Sequence, residues 1–356
     1  MTPHVYRISK EGGWYGARID MIHMNEESDG YGYNYEDGVL TLTTMVDIVL
    51  MKSLLEAMRG GCRLILVGDA DQLPSVGAGN VLADIIASGV VQVCELTHIY
   101  RQGEDSLIIS NAHLINDCKM PMLNNKSKDF FFEEKQEPEQ MLGSVVNLTY
   151  SRLPKYLNID SSKIQVLAPM KSGACGVDNL NKQLQDKINP PSLSKPELET
   201  EKVIYRLGDR VMQIKNNYDI YWEKGSRNDL RTYEAGTGVF NGEIGRIERI
   251  DTNERQVKVE YDDKKVAWYA FSELDQLEHS YAITIHKAQG SEFDVVILVV
   301  PPSSNMLLTR NLLYTGITRA KKLLIVIGNR NLVEYMVNNC DTKKRNTGLK
   351  IKFESI

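Results

Sequence analysis

Apolar and polar positions follow a helix-and-strand rhythm in the first part of the chain. Apolar residues recur at helical spacing from Val46 to Met58, where Asp47 is a candidate N-cap, and again near Asn80 to Ser88. Between them lies a short apolar run, Arg63 to Val67, bounded by glycines. Helical spacing predicts helices, and a short apolar run between turn residues predicts a strand. Strands that alternate with helices are typical of a parallel α/β sheet.

The same rhythm returns after a polar stretch from Asn124 to Glu139, which we interpret as a loop or a connection between lobes. Ile164 to Ala168 is a predicted strand, and the apolar residues of Val177 to Ile188 recur at helical spacing. Further along, the pattern predicts a strand, a helix and a strand at Val295 to Val300, Asn305 to Thr315 and Leu323 to Ile327.

A different rhythm separates these elements between Val203 and Gln276. Short strands are predicted there, divided by turn signals such as Asn241-Gly242, and apolar residues alternate cleanly from Val257 to Tyr261. The isoleucines from Ile244 to Ile250 recur every third residue instead, so this strand either contains a bulge or is wrongly assigned. The segment is predicted to be an inserted β module.

Composition and charge place the chain among globular proteins. It has 356 residues, 42% of them hydrophobic and 25% charged, which predicts two or three domains. The longest apolar runs are far shorter than the roughly 20 residues of a membrane-spanning helix. The first residues lack an apolar stretch of signal-peptide length, so the cytoplasm is the expected location.

The net charge of -5 argues against a surface covered in DNA-binding charge, although it allows a local basic groove. The five cysteines are odd in number and widely scattered, which favours reduced thiols over zinc sites or disulfides. Charge and cysteine content therefore leave the function open.

The first segment with candidate chemistry runs from Gly68 to Val76, directly after a predicted strand. In open α/β sheets ligands bind beyond the carboxyl ends of the strands, which places Asp69 and Gln72 within reach of a polar ligand. By spacing alone, an ordinary loop is an equally good interpretation.

Five segments together resemble a known set of motifs in its usual order. They resemble motif III (Gly68 to Val76), motif IV (Leu96 to Gln102), the segment that opens the DNA-facing side of a second lobe (Leu167 to Lys171), motif V (Tyr281 to Phe293) and motif VI (Tyr314 to Ala320). The set is similar to that of RecD-like superfamily 1 DNA helicases, the type of the exodeoxyribonuclease V alpha subunit.

The resemblance implies a fold of tandem RecA-like lobes, with parallel sheets of the P-loop NTPase type. It also implies a small β-barrel inserted in the second lobe, whereas the family motifs that the sequence lacks make the first lobe incomplete. We accordingly assign residues 1–150 to the remnant of the first lobe and its connection, residues 151–202 with 277–356 to the second lobe, and residues 203–276 to the barrel. The implied activity is ATP-driven translocation along single-stranded DNA, 5′-to-3′, with ATP and Mg²⁺ as cofactors.

The motifs imply catalytic and nucleotide-binding roles for particular residues. Arg101 and Arg319 offer planar, permanently charged groups suited to a γ-phosphate, as in an arginine finger. Outside a motif, an arginine is more often a solvated surface residue. Gln72 would sense the phosphate or its attacking water and couple it to DNA. The implied nucleotide-binding residues are Asp69, Gly290 and Glu292.

DNA-binding roles are implied for residues that would line a single-strand groove, namely Lys171, Thr284, His286 and Lys287. Phosphate contacts of this kind bind DNA without regard to sequence. Outside the motifs, a lone lysine or histidine is more often structural or solvated. Trp222, in a polar stretch, is an even choice between a base-stacking platform and a core residue, whereas core packing is favoured for Trp268.

The sequence departs from the family pattern at motifs I and II. No Gly-Lys dipeptide occurs, so the phosphate-binding loop lacks its lysine, and no Asp-Glu dipeptide precedes Met45-Val46-Asp47 to hold magnesium. We therefore predict no metal ligands and no unaided ATP hydrolysis. The chain is either part of a longer or incompletely represented enzyme, or a degenerate product.

Several alternatives remain open at the level of the sequence. The rival function is a DNA-binding or complex-assembly protein, a motor relic without turnover. A nuclease is disfavoured because the sequence shows no carboxylate cluster for two metals. The expected partners are single-stranded DNA, other helicase-nuclease subunits, or the missing part of the first lobe.

Overall fold

The computed structural model describes residues 6–9, 18–21, 31–36, 39–44, 46–58, 63–94, 106–226, 233–304, 307–339 and 348–354. The first elements are β1 (Tyr6–Ser9), β2 (Arg18–Met21), β3 (Tyr31–Glu36), β4 (Val39–Thr44), α1 (Ile48–Ala57), β5 (Arg63–Val67) and α2 (Val81–Ser88). Next come α3 (Leu107–Asn116), β6 (Phe130–Glu134), α4 (Pro138–Asn147), α5 (Leu153–Leu157), β7 (Ile164–Ala168) and α6 (Val177–Ile188).

The middle of the chain is built of strands: β8 (Glu197–Glu199), β9 (Ile204–Arg206), β10 (Arg210–Gln213), β11 (Asn217–Lys224), β12 (Glu234–Val239), β13 (Ile244–Asp251), β14 (Gln256–Tyr261), β15 (Val266–Ala270) and β16 (Leu277–His279). The last elements are β17 (Ala282–Thr284), β18 (Phe293–Val300), α7 (Arg310–Thr318), β19 (Ala320–Gly328), α8 (Arg330–Asn338) and α9 (Leu349–Glu354). In the part of the chain that the structure describes, the helices lack the combination of length and apolar character needed to cross a bilayer.

The described part of the first lobe contains β3, β4 and β5, with α1 and α2. β4 and β5 run parallel, and β3 pairs antiparallel with β4. The predicted cap of α1 is confirmed, because the Asp47 carboxylate accepts a hydrogen bond from the Leu50 N–H at 2.7 Å. The predicted strand Arg63 to Val67 is also confirmed. The buried core of this lobe consists of Val46, Met51, Leu54 and Val81.

The second lobe is built on a parallel sheet. Among the described residues it contains five strands in the order β17-β7-β18-β19-β6. Alternate residues of β18 join different cores: Val296 and Leu298 pack in one, and Val295 and Ile297 in the other. Burial on both faces explains why these strands are continuous apolar runs in the sequence. The predicted α/β fold class is confirmed.

The stretch Asn124 to Glu139 is not a loop, and this part of the sequence prediction is wrong. It contains β6, which pairs in parallel with β19, and α4 begins at its end. Phe130 and Phe132 are buried, but the apolar run is too short and too closely flanked by charges to stand out in the sequence. The structure places this strand in the second lobe's sheet, ahead of the expected boundary at residue 150.

The helix expected from Asn305 also begins later than predicted. Its first residue is Arg310, and the Thr309 hydroxyl caps it by accepting a hydrogen bond from the Leu312 N–H at 3.3 Å. Residues 305 and 306 lie outside the described residues. The capping threonine fixes the start because its side chain replaces a backbone acceptor that the first turn lacks.

The inserted module, which we define as β10 to β16, is antiparallel. It extends past the expected boundary at residue 276, because β16 pairs with β10 in the module's sheet. Its strand order within the described residues is β12-β11-β15-β14-β13-β10-β16. The pairing of β13 with β14 shifts register between Ile247 and Arg249, so the alternative of a bulge is confirmed. Tyr269 is buried in the module's core, but Trp268 is 40% exposed, and the core packing favoured for Trp268 is therefore wrong. Adjacent residues of a strand point to opposite faces of the sheet, so Trp268 points away from the core that buries Tyr269.

A buried polar junction fixes the module on the second lobe. The Asp209 carboxylate, 0% exposed, accepts hydrogen bonds from Gln185 at 2.6 Å, Asn189 at 2.7 Å and the Tyr281 hydroxyl at 2.9 Å, and His279 Nε2 lies 3.0 Å away. Burial opposes ionisation, but the hydrogen bonds from His279 and Asn189 outweigh it, so the pKa of Asp209 lies below its ordinary value. The junction joins α6 to both ends of the module.

Candidate nucleotide and nucleic-acid sites

The segment that follows β5 forms hydrogen bonds with the second lobe. The Leu73 N–H donates to the Thr315 hydroxyl at 2.9 Å, and the Leu73 carbonyl accepts from the Gln289 amide at 3.0 Å. The Asn311 amide donates to the Gln72 carbonyl at 3.2 Å. Since Thr315 and Asn311 lie on α7, the backbone of this segment is held by side chains of the second lobe.

A chain of side-chain hydrogen bonds continues across the same boundary. Arg319 Nη2 donates to Gln72 Oε1 at 3.1 Å, and Gln72 Nε2 donates to Asp69 Oδ2 at 3.0 Å. The Tyr314 hydroxyl donates to the same Asp69 oxygen at 3.0 Å. Burial, and then the nearby Asp69 charge, raise the pKa of Tyr314, which keeps its hydroxyl protonated as a donor. We call Asp69, Gln72, Tyr314 and Arg319 the lobe seam.

The guanidinium of Arg319 is oriented by the second lobe itself. Its Nε donates to the Thr315 carbonyl at 3.2 Å, and its Nη1 donates to the Ser291 carbonyl at 3.0 Å. The side chain is buried at the end of α7. An arginine fixed by several acceptors needs little reorganisation to present the N–H donors at its edge to an anion.

The other predicted nucleotide-binding residues lie on the connection between β17 and β18. Gly290 adopts a φ of +81°, a conformation that favours glycine, immediately before the Ser291 carbonyl that holds Arg319. Glu292 lies 3.3 Å from Lys321. Arg101 falls outside the described residues. The structure thus brings Asp69, Gln72 and Arg319 together, with Gly290 shaping the loop behind them.

The lobe seam lacks the groups that would hold a nucleotide's phosphate chain and its magnesium. Within the described ranges, no three His, Cys, Asp or Glu side chains gather in a way that could hold a metal ion. The sequence also has no Gly-Lys or Asp-Glu dipeptide. The residues present therefore fit only the arginine and glutamine side of a nucleotide site, and hydrolysis cannot be derived from them alone.

A second candidate site lies at the carboxyl ends of β7 and β17, which are parallel neighbours with Thr284 opposite Ala168. Lys171 follows β7, and Lys287 lies in the turn that follows β17. Both lysines and Thr284 line one small cavity, together with Glu278 and Met212 of the inserted module. We call Lys171, Thr284, Lys287 and Glu278 the groove. Three of the predicted DNA-binding residues therefore converge there.

Glu278 is the residue of the groove that the sequence did not reveal. Its two carboxylate oxygens lie 3.0 Å from Lys171 Nζ and 2.6 Å from Lys287 Nζ. Burial opposes its ionisation, but the hydrogen bond and charge of Lys287, and then those of Lys171, hold its pKa below the ordinary value. A glutamate in a three-residue strand before motif V carries no distinguishing sequence signal.

The remaining predicted DNA-binding residues have different surroundings. The Thr284 hydroxyl is buried and accepts from the Lys287 N–H at 3.2 Å, so it shapes the turn that presents Lys287. His286 is exposed on the same turn. Trp222 lies in β11, half-buried against the module's core, with Lys265 Nζ 5.7 Å from its ring centre. Trp222 does not line the groove cavity.

Three family models match successive parts of the chain. Residues 43–129 match an AAA domain, residues 180–261 match an ATP-dependent RecD-like DNA helicase SH3 domain, and residues 279–327 match a UvrD-like helicase C-terminal domain. The middle match covers most of the inserted module, and the last contains the predicted motifs V and VI.

Two relatives illustrate the similarity over most of the chain. An ATP-dependent RecD2 DNA helicase from Deinococcus radiodurans is 31% identical, over 81% of this chain and 35% of the relative. A RecBCD enzyme subunit RecD from Mycobacterium tuberculosis is 30% identical, over 89% of this chain and 53% of the relative. The chain thus spans between a third and about half of the length of these relatives.

Solved structures with a similar chain trace include a Pif1 helicase from Candida albicans, which is 16% identical with a TM-score of 0.47. That match covers 89% of this chain and 75% of the other. A Bacteroides Pif1 helicase in complex with ADP-AlF3 and ssDNA is also 16% identical, with a TM-score of 0.46 over 89% of this chain and 74% of the other.

Proposed function

Since the chain belongs to the RecD-like family of superfamily 1 DNA helicases, we propose that it is the motor portion of an ATP-dependent helicase. In this proposal it moves along single-stranded DNA in the 5′-to-3′ direction and acts in DNA repair or recombination in the cytoplasm. The observation that carries this proposal is the hydrogen-bonded chain from Asp69 through Gln72 to Arg319. It joins residues of both lobes.

The contacts of the lobe seam support a role in coupling the lobes. Gln72 is held from the second lobe at its backbone by Asn311 and at its side chain by Arg319. A shift of α7 relative to β5 must therefore move Gln72. In our proposal Arg319 faces the γ-phosphate, Gln72 reads its presence, and Asp69, Gly290 and Glu292 complete the nucleotide side, as does Arg101 by family resemblance.

The groove supports the DNA-binding part of the proposal. Lys171 and Lys287 are compact charges at the carboxyl ends of adjacent strands, where a DNA backbone can be reached. His286, exposed beside Lys287, and Trp222, a stacking candidate on the module, are assigned weaker contributions to strand binding. The proposed partners are other helicase-nuclease subunits or the part of the first lobe that carries motifs I and II.

A second candidate function is a motor relic that binds DNA without turnover. The observation in its favour is the lack of any Gly-Lys or Asp-Glu dipeptide in the sequence, because these dipeptides supply the phosphate-binding lysine and the magnesium carboxylate of the family motifs. The two candidates share the groove and differ in hydrolysis. Experiments on DNA binding and on hydrolysis therefore answer separate questions.

The DNA-binding part is tested by fluorescence anisotropy with single-stranded DNA across a salt series. Replacing Lys171 and Lys287 together by Ala should weaken binding and flatten the log-log salt slope by roughly 1 to 1.5, because each phosphate contact on a single strand contributes about 0.7. The matched control replaces Lys215 and Lys264, which pair with Asp275 and Glu260 elsewhere, and should leave the slope near wild type. An unchanged slope in the groove variant contradicts the proposal.

The motor part is tested by DNA-stimulated ATP hydrolysis. We expect none from the 356-residue chain, and hydrolysis from a longer chain that carries a Gly-Lys-Thr loop. In that longer chain Arg319→Ala should lower turnover by about a thousandfold or more, as loss of an arginine finger does. Arg330→Ala, an exposed arginine on α8, is the control. Near-normal turnover of the Arg319 variant would remove Arg319 from the site, and a longer chain without turnover would favour the relic.

A further inference from the structure

One acidic residue pairs with both lysines of the groove. Glu278 places one carboxylate oxygen 3.0 Å from Lys171 Nζ and the other 2.6 Å from Lys287 Nζ. The two lysines are more than a hundred residues apart in sequence, and each follows a different strand of the second lobe's sheet. The carboxylate therefore acts as a bridge between two cations that would otherwise repel each other.

Glu278 reaches the groove from a different structural unit. It lies on β16, which pairs with β10 of the inserted module, with Glu278 opposite Met212. Lys171 and Lys287 belong to the second lobe. The buried junction around Asp209 fixes the neighbouring residue, His279, so the position of Glu278 depends on how the module is seated on the lobe.

The chemistry of this bridge matches that of a nucleic-acid backbone. A carboxylate and a phosphodiester both offer two anionic oxygens that share one negative charge, and an ammonium group binds either as a point charge. The Glu278 side chain is 37% exposed, and the side chains of Lys171 and Lys287 are 52% and 25% exposed. Water can reach the pairs, and ion pairs of this exposure are weak enough to exchange.

We propose that Glu278 is an internal substitute for a DNA phosphate, a resident anion that occupies the two groove lysines until a strand displaces it. This inference rests on the proposed DNA-binding function of Lys171 and Lys287. Strand binding then exchanges one anion for another, so Glu278 lowers the affinity of the groove for single-stranded DNA. Because Glu278 belongs to the inserted module, the net charge of the groove also depends on how the module is positioned on the second lobe.

The test compares wild type with Glu278→Gln by fluorescence anisotropy on single-stranded DNA. Glutamine keeps the shape of the side chain but removes its charge, which leaves both lysines available to phosphates. We expect roughly fivefold tighter binding at low salt, the size of one weak ion-pair contribution. The salt slope should steepen by about 0.7, because the groove gains one uncompensated positive charge.

The matched control is Glu260→Gln, the same chemical change in an exposed pair with Lys264, at 2.9 Å on the inserted module. It should bind DNA as wild type does, which separates the local effect from the change in net charge. A further control places Glu278→Gln in the Lys171→Ala and Lys287→Ala background. The gain in affinity should vanish there, because a substitute for phosphate has no cations left to occupy.

The possible outcomes distinguish this inference from the function on which it rests. If Lys171→Ala with Lys287→Ala loses binding while Glu278→Gln binds no more tightly than Glu260→Gln, the inference is overturned and the groove assignment stands. If the lysine double variant binds as wild type, the groove assignment itself fails. A gain from Glu278→Gln that persists without the lysines also overturns the inference, since the charge would then act elsewhere.

Discussion

Two carboxylates at β16 have opposite surroundings: that of Asp209, which lies against the strand, and that of Glu278, which belongs to it. Asp209 is sealed from solvent and held by Gln185, Asn189 and Tyr281, with His279 alongside. Glu278, the residue next to His279 in sequence, is open to water on one side and touches two lysines through its oxygens. Both lie where the inserted module meets the second lobe. In both, favourable partners hold the pKa below its ordinary value despite burial.

The strand β16 thus takes part in two kinds of contact. His279 lies against the buried Asp209 carboxylate, and Glu278 pairs with two lysines in a partly exposed site. Loss of the carboxylate would remove the acceptor of the buried Tyr281 hydroxyl and one of the acceptors of each of the Gln185 and Asn189 amides, which makes the junction costly to open. The lysines around Glu278 can turn to water or to another anion at little cost. The junction therefore holds the module in place, and the ion pairs beside it remain accessible to water.

The largest effect we expect separates these two carboxylates. Asp209→Ala should lower the free energy of unfolding of the module by about 3 to 5 kcal/mol, as removal of one partner from a buried charged network does. Glu278→Ala should change it by less than about 1 kcal/mol. Urea unfolding followed by tryptophan fluorescence measures both, because Trp222 and Trp268 lie in the module. Equal effects would mean that burial does not distinguish the two sites.

A smaller effect should separate the two tryptophans of the module. Trp222 packs against the core, so Trp222→Ala should cost about 1 to 2 kcal/mol, below the value for a fully buried aromatic residue. Trp268 lies on the outer face, so Trp268→Ala should lower the free energy of unfolding by less than about 0.5 kcal/mol. The same urea titration, followed by circular dichroism, checks this order. A larger cost at Trp268 would contradict the assigned faces of β15.

The smallest effect we expect is on acid stability. Because the pKa of Asp209 is lower in the folded state, its contribution to stability is complete above the unfolded value of about 4 and is lost as the pH falls through the folded pKa. The stability difference between wild type and Asp209→Asn should therefore stay constant from neutral pH to about pH 5 and narrow below about pH 4. Urea titrations at several pH values measure it, and a constant difference would contradict the pKa direction.

Local patterns predicted individual elements well where one physical signal dominated. Ile164–Ala168 and Val177–Ile188 have the expected bounds because a continuous apolar run and helical spacing report burial directly. Arg63–Val67 also has the expected bounds, although Ile65 and Val67 are exposed. The bulge in β13 was also visible, since Ile247 and Ile250 are both buried despite their three-residue spacing. The prediction failed at β6, where charges surround a run of three phenylalanines.

The sequence by itself determined the family, the types of most elements and which residues are candidates for the two sites, because motif order and hydrophobic period are local properties of the chain. Only the tertiary structure decided which of those residues meet. Gln72 and Arg319 are 247 positions apart, and their contact exists because the two lobes are apposed. Glu278 meets Lys171 because an inserted module returns its last strand to the edge of the lobe. Hydrophobic period determines which face of an element is buried, but the partner across that face depends on how distant segments pack.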